Sequence, residues 1–265
     1  MTQLLEGKTA LVFGVANDHS IAWGIARAFH QHGAHLAFSY AMDKLERRVR
    51  PLAETVGATF VEPCDVTQDG EIDALFAKAA TELGRIDILV HAIAYAGRDE
   101  LSGRFLKTSR GGFALTMEIS VYSLIALARA AAPLMTAGGS MLTLTYNAGE
   151  RVVPSYNIMG VAKAALESTT RYLAADLGPS GIRVNAISAG PVRTLAAAGV
   201  AGFKSMYSQY AEQTPLRRNI TIDDVGAAAV WLCSDLASAT TGEILFVDSG
   251  YNILGIPSPT EGPSS

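Results

Sequence analysis

The chain has 265 residues, of which 49% are hydrophobic and 17% are charged, and its formal net charge is −4 at pH 7. This length fits a single α/β domain, and the mildly acidic balance gives no electrostatic reason to expect a nucleic acid or an anionic membrane as partner. The two cysteines, Cys64 and Cys233, follow no metal or disulfide spacing, which favours a reducing cytoplasm. The N-terminus lacks a signal-peptide pattern, and we expect no apolar run to approach the roughly 20 residues that span a bilayer.

Short apolar or β-branched runs alternate with longer helical patterns along the chain. The predicted strands cover 9–14, 35–39, 59–63, 86–94, 140–146, 182–188 and 243–248, and the predicted helices cover 21–32, 43–57, 69–84, 113–137, 154–177 and 222–235. Gly178-Pro179 is a stop signal for the fifth helix, and Thr221 with Asp224 forms a capping-box pattern before the sixth. Apolar strands separated by helices predict a seven-stranded parallel sheet with helices on both faces, in one doubly wound Rossmann-type α/β domain over 1–256. The tail 257–265 has three prolines and no apolar anchor, and is predicted to be disordered.

The first predicted strand runs into the stretch GVANDHSIAWG (14–24) and then into a helix. Small residues at such a turn let the backbone approach a diphosphate, whose charge the helix N–H groups then meet. Gly14 and Gly24 frame the turn, the Ser20 hydroxyl is a candidate phosphate donor, and Ile21 begins the helix. The stretch is not GxGxxG, so a plain strand-to-helix connection is the alternative. Its place after the first strand of an alternating chain favours the nucleotide-binding interpretation.

Two later strands end in segments that could contact the same ligand. Asp65 and Val66 follow the third strand, where a carboxylate could accept from an adenine amino group or could instead cap the next helix. After the fourth strand, HAIAYAG (91–97) is small and apolar, which suits a backbone lying against a flat ring or a ribose, and Ile93 is a candidate cofactor contact. Ligands in such sheets bind at the carboxyl ends of strands, where all of these segments lie.

The stretch YNIMGVAK places Tyr156 seven residues before Lys163. On one continuous α-helix this spacing leaves the two side chains about 20° from eclipsed, with roughly 10.5 Å of rise between them. They would then share a face and touch a ligand at two well-separated points. Taken alone, each tyrosine of the chain is best interpreted as a packing or surface residue.

Together these segments resemble a known family. YNIMGVAK, the GVANDHSIA turn, the CDV after the third strand and VNAISAGPVRTLAA (184–197) look like the NADH-dependent enoyl-[acyl-carrier-protein] reductases of bacterial type II fatty-acid synthesis, a divergent branch of the short-chain dehydrogenase/reductase superfamily. The resemblance runs from residue 4 to about residue 255. Ordinary superfamily members carry Tyr-x3-Lys, with a serine thirteen residues before the tyrosine. Here Met159, whose thioether has no proton to donate, stands four residues before Lys163, and Tyr146 occupies the serine position. Both departures match the enoyl reductases.

The resemblance implies that a hydride passes from the nicotinamide to the β-carbon of a trans-2-enoyl thioester. Tyr156 would then donate to the thioester oxygen, and Lys163 would hold the ribose hydroxyls of the nicotinamide nucleotide. Tyr146 would face the same cleft in a secondary role, and Met159 and Ala96 would contact the substrate.

The resemblance also assigns the stretch 190–210. Its small residues, with Gly199 and Gly202, suit a mobile lid over an acyl chain. Its first part would contact the nicotinamide, through Val192, Arg193, Thr194, Leu195 and Ala196.

The expected cofactor is NADH rather than NADPH. The second strand ends in SYAM (39–42), which has no acid for a ribose 2′-hydroxyl and no immediate basic residue for a 2′-phosphate. Lys44, Arg47 and Arg48 come later and could reach back, so NADPH stays open. The resemblance further implies an enoyl substrate bound to acyl-carrier protein and a homotetramer, for which the apolar helices 113–137 and 154–177 are candidate interfaces.

Two other functions compete with this interpretation. One is a carbonyl or ketoacyl reductase of the same superfamily, which the missing tyrosine at 159 disfavours. The other is a non-catalytic, NAD-binding structural or regulatory paralogue, for which Ala94 leaves some room because many relatives have glycine there. No metal is expected, because His30 and His32 point roughly 160° apart on a helix and His35 lies beyond its end.

Overall fold

The computed structural model describes residues 3–195, 197 and 202–256, with the backbone alone at 203 and 204, and these residues contain one seven-stranded sheet. Its strands are β1 Thr9–Phe13, β2 His35–Tyr40, β3 Val61–Pro63, β4 Ile88–His91, β5 Gly139–Thr145, β6 Ile182–Ala189 and β7 Ile244–Val247. Every neighbouring pair is parallel, in the order β3-β2-β1-β4-β5-β6-β7. The predicted Rossmann-type α/β fold is confirmed.

Helices connect the strands and cover the sheet. They are α1 Ile21–Gln31, α2 Asp43–Thr55, α3 Asp69–Glu82, α4 Arg110–Met117, α5 Ser123–Ala131, α6 Ile158–Leu177, α7 Phe203–Gln213 and α8 Ile222–Cys233. The predicted stop at Gly178 and the capping box at Thr221 are both confirmed: α6 ends at Leu177, and the Thr221 and Asp224 side chains each accept from the other's backbone N–H.

Alternating residues of the central strands build two separate cores. In β1, Ala10 and Val12 belong to a core shared with α1, α2 and α8. Leu11 and Phe13 belong to a second core, shared with α3, α5 and α6. Because successive side chains of a strand point to opposite faces of the sheet, one short apolar strand contributes side chains to both cores.

Helices α1 and α8 touch through glycine. A Cβ atom added to Gly24 would lie 2.5 Å from the Ile222 carbonyl oxygen, and one added to Gly226 would lie 2.6 Å from the Gly24 carbonyl oxygen. Gly24, expected from sequence to frame the first turn, is therefore required for this helix contact. The contact fixes the start of α1 against the rest of the molecule.

The helix predicted at 113–137 is interrupted. It runs from α4 through a π-helical turn, Glu118–Tyr122, into α5 and a short 3₁₀ turn that ends at Leu134. By length and composition alone, Arg110–Leu134 is apolar enough to cross a membrane, although 44% of its most apolar window is buried inside the molecule. The expectation that no apolar run approaches this length is thus corrected. Core helices of globular proteins pass the same test, so the finding is weak evidence for a membrane span.

The predicted start of the fifth helix is wrong, because α6 begins at Ile158 rather than near 154. The stretch 190–210, predicted as a mobile lid, overlaps a helix that was not predicted from the sequence, α7. Ala196, Gly199 and the tail 257–265 lie outside the described residues.

Candidate active site

The sheet has a crevice at its carboxyl edge between β1 and β4. The chain leaves β1 toward β2 on one side, and β4 and the later strands lie on the other, so the loops after β1 and β4 diverge at this point. Gly14 follows β1 with a φ of 101°, and a Cβ atom added to it would lie 2.1 Å from the Ala92 carbonyl oxygen. Only glycine fits there, so the two loops meet backbone to backbone.

The turn after Gly14 is folded by Ser20. The Ser20 hydroxyl accepts from the backbone N–H groups of Ala16 and Asn17 at 3.0 and 3.1 Å, and it donates to Asn17 Oδ1 at 3.2 Å. Its expected role as a phosphate donor therefore requires its proton to leave Asn17. Ile21 is the first residue of α1, and its N–H is one of the donors that a helix cannot satisfy internally.

Asp65 is half-buried, and its carboxylate is used locally. Asp65 Oδ1 accepts from the Thr67 N–H at 3.0 Å and from the Thr67 hydroxyl at 2.9 Å, while Val66 is buried beside it. The alternative that Asp65 caps the next helix is wrong, because the N-cap of α3 is Gln68.

A pocket lies at the carboxyl ends of β2 and β3, and four of its ten lining residues are acids. Its wall includes Asp43, Glu62, Asp65 and Glu71. The lysine in this wall, Lys78, is already paired with Glu62 at 2.7 Å. The lining of the pocket therefore carries a net negative charge.

The loop after β4 is small and held by the π-helical turn. Ser120, a buried residue of that turn, accepts from the Tyr95 N–H at 3.0 Å and donates to the Tyr95 carbonyl oxygen at 3.2 Å. Ile93 and Ala96 are half-buried and Ala94 is exposed. The π-helical turn between α4 and α5 thus holds the loop after β4 in place through the two hydrogen bonds between Ser120 and the Tyr95 backbone.

The two candidate catalytic tyrosines lie together. The Tyr146 and Tyr156 ring centroids are 5.1 Å apart in an edge-to-face arrangement. Tyr146 directly follows β5. Tyr156 precedes α6 and sits between Ser155 and Asn157, whose φ angles of 65° and 41° are both positive.

This geometry corrects the expectation that Tyr156 and Lys163 share one helix. The left-handed residues on either side of Tyr156 end any helical path before Ile158, so the helical rise and azimuth do not apply to the pair. Asn157 anchors the turn by donating to the carbonyl oxygens of Glu100 and Ser102 at 3.3 and 3.4 Å. Non-glycine residues in this region cost about 1–3 kcal/mol each, and such residues cluster at functional sites.

Burial keeps both phenols protonated. It raises the pKa of Tyr146 to about 12, and it raises the pKa of Tyr156 further still. Each phenol is therefore a neutral hydrogen-bond donor at physiological pH.

Lys163 lies in the second turn of α6 and is buried. Its ammonium group donates to the Leu144 carbonyl oxygen at 2.7 Å, so the helix is tied to β5 two residues before Tyr146. Burial lowers the pKa of Lys163 to about 8. Met159, one turn earlier, is also buried, and its sulfur lies 3.9 Å from the Ser120 hydroxyl.

The segment after β6 connects the site to α7. Val192 packs against the core, Thr194 accepts from the Ala197 N–H at 3.1 Å, and Leu195 is half-exposed. The Arg193 guanidinium lies over the Tyr207 ring at 4.5 Å, which holds the segment against α7 by a cation–π contact.

Sequence reasoning missed several residues at this end of the sheet. The Tyr146 hydroxyl contacts the Met206 sulfur of α7 at 3.9 Å, and Tyr210 of α7 stacks on Tyr251 with centroids 4.4 Å apart. The buried Asp248, which directly follows β7, accepts from the Gly250 and Asn252 N–H groups. The rule that ligands meet strand ends could have indicated Asp248, whereas the aromatic contacts depend on tertiary structure.

The turn after β7 contains a strained serine. Ser249 has a φ of 57°, and its buried hydroxyl has no hydrogen-bond partner among the described residues. The left-handed backbone costs roughly 1–2 kcal/mol for a residue other than glycine, and an unpaired buried hydroxyl adds to this cost. We expect Ser249→Gly to raise the free energy of unfolding by about 1–2 kcal/mol in urea denaturation.

A matched change at the next residue gives the control for Ser249. Gly250 has a φ of 84°, and a Cβ atom there would lie 2.9 Å from Pro215 Cγ. Gly250→Ala should therefore destabilise the protein. Unchanged or reduced stability of Ser249→Gly would contradict the assignment of strain.

These residues fit a dinucleotide cofactor. The close approach of the loops at Gly14, the N–H groups at the start of α1 that have no partner within the helix, and the small residues after β4 suit close backbone contact with phosphates and rings. Within the described part of the chain, no three His, Cys, Asp or Glu side chains converge as metal ligands.

A doubly wound parallel sheet with a glycine-lined crevice at the carboxyl ends of its strands defines a class of protein, the Rossmann-type dinucleotide-binding proteins. A family model described as enoyl-(acyl carrier protein) reductase matches residues 14–252. The enoyl-[acyl-carrier-protein] reductase [NADH] of Bacillus cereus is 56% identical over 255 residues, which cover 96% of this chain and 100% of that protein. The chain belongs to the enoyl-(acyl carrier protein) reductase family.

Solved structures agree in fold and sequence. The crystal structure of the Bacillus cereus enoyl-acyl carrier protein reductase with NADP+ and indole naphthyridinone has a TM-score of 0.94 and 56% identity, covering 97% of this chain and 100% of that one. The reductase from Anaplasma phagocytophilum in complex with NAD has a TM-score of 0.94 and 50% identity, covering 98% and 99%.

Proposed function

We propose that this protein is an enoyl-[acyl-carrier-protein] reductase that transfers a hydride from NADH to the β-carbon of a trans-2-enoyl thioester. The observation that carries the proposal is the contact between the Tyr146 and Tyr156 rings, with the buried Lys163 bonded to β5 two residues before Tyr146 and with Met159 at the position of the usual superfamily tyrosine. Membership of the enoyl reductase family supports the same reaction.

Bound NADH supplies the hydride, and the chain's own groups act on the developing charge. Addition at the β-carbon moves negative charge to the thioester oxygen, which is remote from the carbon attacked. Tyr156 donates its phenolic proton in a hydrogen bond to that oxygen; preorganised donors of this kind contribute about 3–4 kcal/mol. The α-carbon then takes its proton from water, so no general acid is required beside it.

The other residues of the site bind and orient. Lys163 holds the nicotinamide ribose hydroxyls and supplies positive potential, while Tyr146 has a secondary role in the same cleft. Ala96 and Met159 contact the acyl substrate. The cofactor-binding set consists of Gly14, Ser20, Ile21, Asp65, Val66, Ile93, Lys163, Val192, Arg193, Thr194, Leu195 and Ala196.

The negative pocket at the ends of β2 and β3 supports NADH as the cofactor. A 2′-phosphate there would face the carboxylates of Asp43, Glu62, Asp65 and Glu71, and like charges disfavour it. Lys44, Arg47 and Arg48 of α2 are exposed and are the basic groups nearest in sequence to the end of β2.

We expect kcat/KM for NADH to exceed that for NADPH. Steady-state assays with both cofactors and one enoyl thioester measure the ratio directly. Both belong in the assay because the Bacillus cereus relative is named for NADH and has been crystallised with NADP+. A kcat/KM for NADPH equal to or above that for NADH would overturn the assignment.

We further propose a cytoplasmic homotetramer. Exposed apolar side chains on two helices support it, because Phe113 and Leu115 of α4 and Tyr172 of α6 are each at least 40% exposed. Burial against a second copy removes this apolar surface from water, and it also accounts for the apolar helix Arg110–Leu134 without a membrane. Light scattering at micromolar concentration should give the tetramer mass; a monomer would end the idea.

The experiment that tests the proposed function follows absorbance at 340 nm. Purified protein, NADH and a short trans-2-enoyl thioester should consume NADH in proportion to the thioester added. Saturated thioester of the same length is the control and should consume none. Binding of NADH without turnover of any enoyl thioester would favour the alternative that the chain is a non-catalytic NAD-binding protein.

A further inference from the structure

A buried carboxylate lies one helical turn beyond Lys163. Glu167 and Lys163 are both on α6, four residues apart, and each side chain is only 5% exposed. Residues four apart lie on the same face of a helix, about 6 Å apart between Cβ atoms. Buried charged groups of opposite sign are costly unless each is compensated, so this arrangement calls for an explanation.

Successive residues of β5 hold the two side chains. The Leu144 carbonyl oxygen accepts from the Lys163 ammonium at 2.7 Å, and the Thr145 hydroxyl donates to Glu167 Oε1 at 2.6 Å. The next residue is Tyr146, which contacts Tyr156. The end of β5 therefore fixes the lysine, the carboxylate and the tyrosine pair in one register.

The turn after Tyr146 closes over the carboxylate. A Cβ atom added to Gly149 would lie 2.6 Å from Glu167 Oε1 and 3.2 Å from the Ala164 nitrogen. Helix α6 and this turn thus approach as closely as glycine allows. The Glu167 carboxylate is confined between the turn and β5.

The charged groups around the pair are few. Lys163 is influenced by Glu167 on its own helix and by His91 at the end of β4, a fully buried imidazole whose pKa burial lowers to about 3. Glu167 is influenced in addition by the exposed Glu150 after β5 and by Arg171 of α6. His91 is neutral at physiological pH, so the charge that favours the ammonium form of Lys163 is that of Glu167. Burial raises the pKa of Glu167 itself, and the hydrogen bond from Thr145 opposes this by stabilising the carboxylate.

We propose that Glu167, held by Thr145, is a positioning residue that keeps Lys163 protonated and directed to the carboxyl edge of the sheet. The proposal rests on the proposed function, because it assigns Glu167 a role through the lysine that contacts the ribose. Glu167 itself touches neither reactant. Its carboxylate offsets the burial that disfavours the lysine's charge, and its bond to β5 fixes the helix register.

Removing the charge while keeping the shape isolates this role. Glu167→Gln retains an oxygen that can accept from Thr145, so a purely structural role would be preserved. Two unit charges about 6–10 Å apart at an effective dielectric constant of about 20 change each other's pKa by about 1–2. We expect Glu167→Gln to lower the Lys163 pKa by about 1–2.

The readout is the Lys163 titration in NADH-free protein, followed by NMR of lysine labelled with ¹³C at Cε. Glu150→Gln is the matched control, because it removes the same charge from an exposed position nearby. The control should move the Lys163 pKa by no more than about 0.3, since water screens it. Equal changes in the two variants, or no change in Glu167→Gln, would overturn the proposal.

A second pair of variants covers the case in which Glu167→Gln does not fold. Thr145→Val removes the hydroxyl that holds the carboxylate and should also lower the Lys163 pKa. Thr145→Ser keeps a hydroxyl at this position and should leave the Lys163 pKa at its wild-type value. NADH affinity should fall as the pH rises through the Lys163 pKa. In Thr145→Val this fall should therefore begin at a lower pH than in the wild-type protein. If the variants change the Lys163 pKa as expected but the wild-type protein reduces no enoyl thioester, the proposed reaction is refuted and the effect of Glu167 on Lys163 stands.

Discussion

Lys163→Ala is expected to weaken NADH binding by about tenfold or more and to lower kcat as well, whereas Tyr156→Phe is expected to lower kcat alone. One ammonium group serves both the ribose contact and the positive potential, so its loss affects binding and turnover together. The Tyr156 phenol acts on charge that develops only during the reaction. Its loss should cost up to about a hundredfold in kcat. This figure is an upper bound because a ribose hydroxyl can share the donor role.

Fluorescence titration with NADH and steady-state kinetics separate the two effects. Tyr172→Phe is the control, because Tyr172 lies on the same helix, α6, outside the proposed site, and the change keeps the ring that is proposed to pack against a second copy. It should leave both NADH affinity and kcat at the wild-type values. An equal loss of NADH affinity in Lys163→Ala and Tyr156→Phe would mean that the two roles are divided wrongly.

The enzyme is expected to be at least about a hundredfold slower on acetoacetyl thioesters than on crotonyl or longer trans-2-enoyl thioesters, the size expected when one positioned proton donor is missing. A ketoreductase protonates the oxygen of the very carbon that receives the hydride, and its tyrosine stands one turn before the lysine. Here that position is Met159, which is buried and has no proton to give.

Keto and enoyl thioesters of equal chain length give the comparison under identical conditions. The structure gives a different reason for the preference for enoyl over keto thioesters than helical spacing does, but the expected preference is the same. Tyr156 does not stand farther along the same helix; it belongs to a separate turn, in ring contact with Tyr146. Comparable kcat/KM values on the two substrates would contradict this account and favour a general carbonyl reductase.

Local patterns predicted the frame of the molecule well. Apolar runs between glycine and proline signals identified all seven strands, and the Thr221 capping box marked the start of α8. The edge of the sheet at which a ligand would bind was also predicted, because parallel strands present their carboxyl ends at one edge.

The detail of the site did not follow from local patterns. Nothing in the sequence around Tyr156 shows that Ser155 and Asn157 adopt positive φ, because the turn is stabilised by Asn157 bonds to the distant residues Glu100 and Ser102. Helix α7 was missed because small residues before it suggested a loop. The Thr145–Glu167 bond depends on how α6 meets β5, and helical periodicity does not carry that information.

The destination of the hydride tests the central claim most directly. NADH carrying deuterium at the transferred position of C4 is incubated with a crotonyl thioester, and the product is analysed by NMR and mass spectrometry. The proposed chemistry predicts a butyryl thioester with one deuterium at the β-carbon, and none at the α-carbon when the solvent is ordinary water. Deuterium at the carbonyl carbon, in an aldehyde or alcohol product, would contradict it.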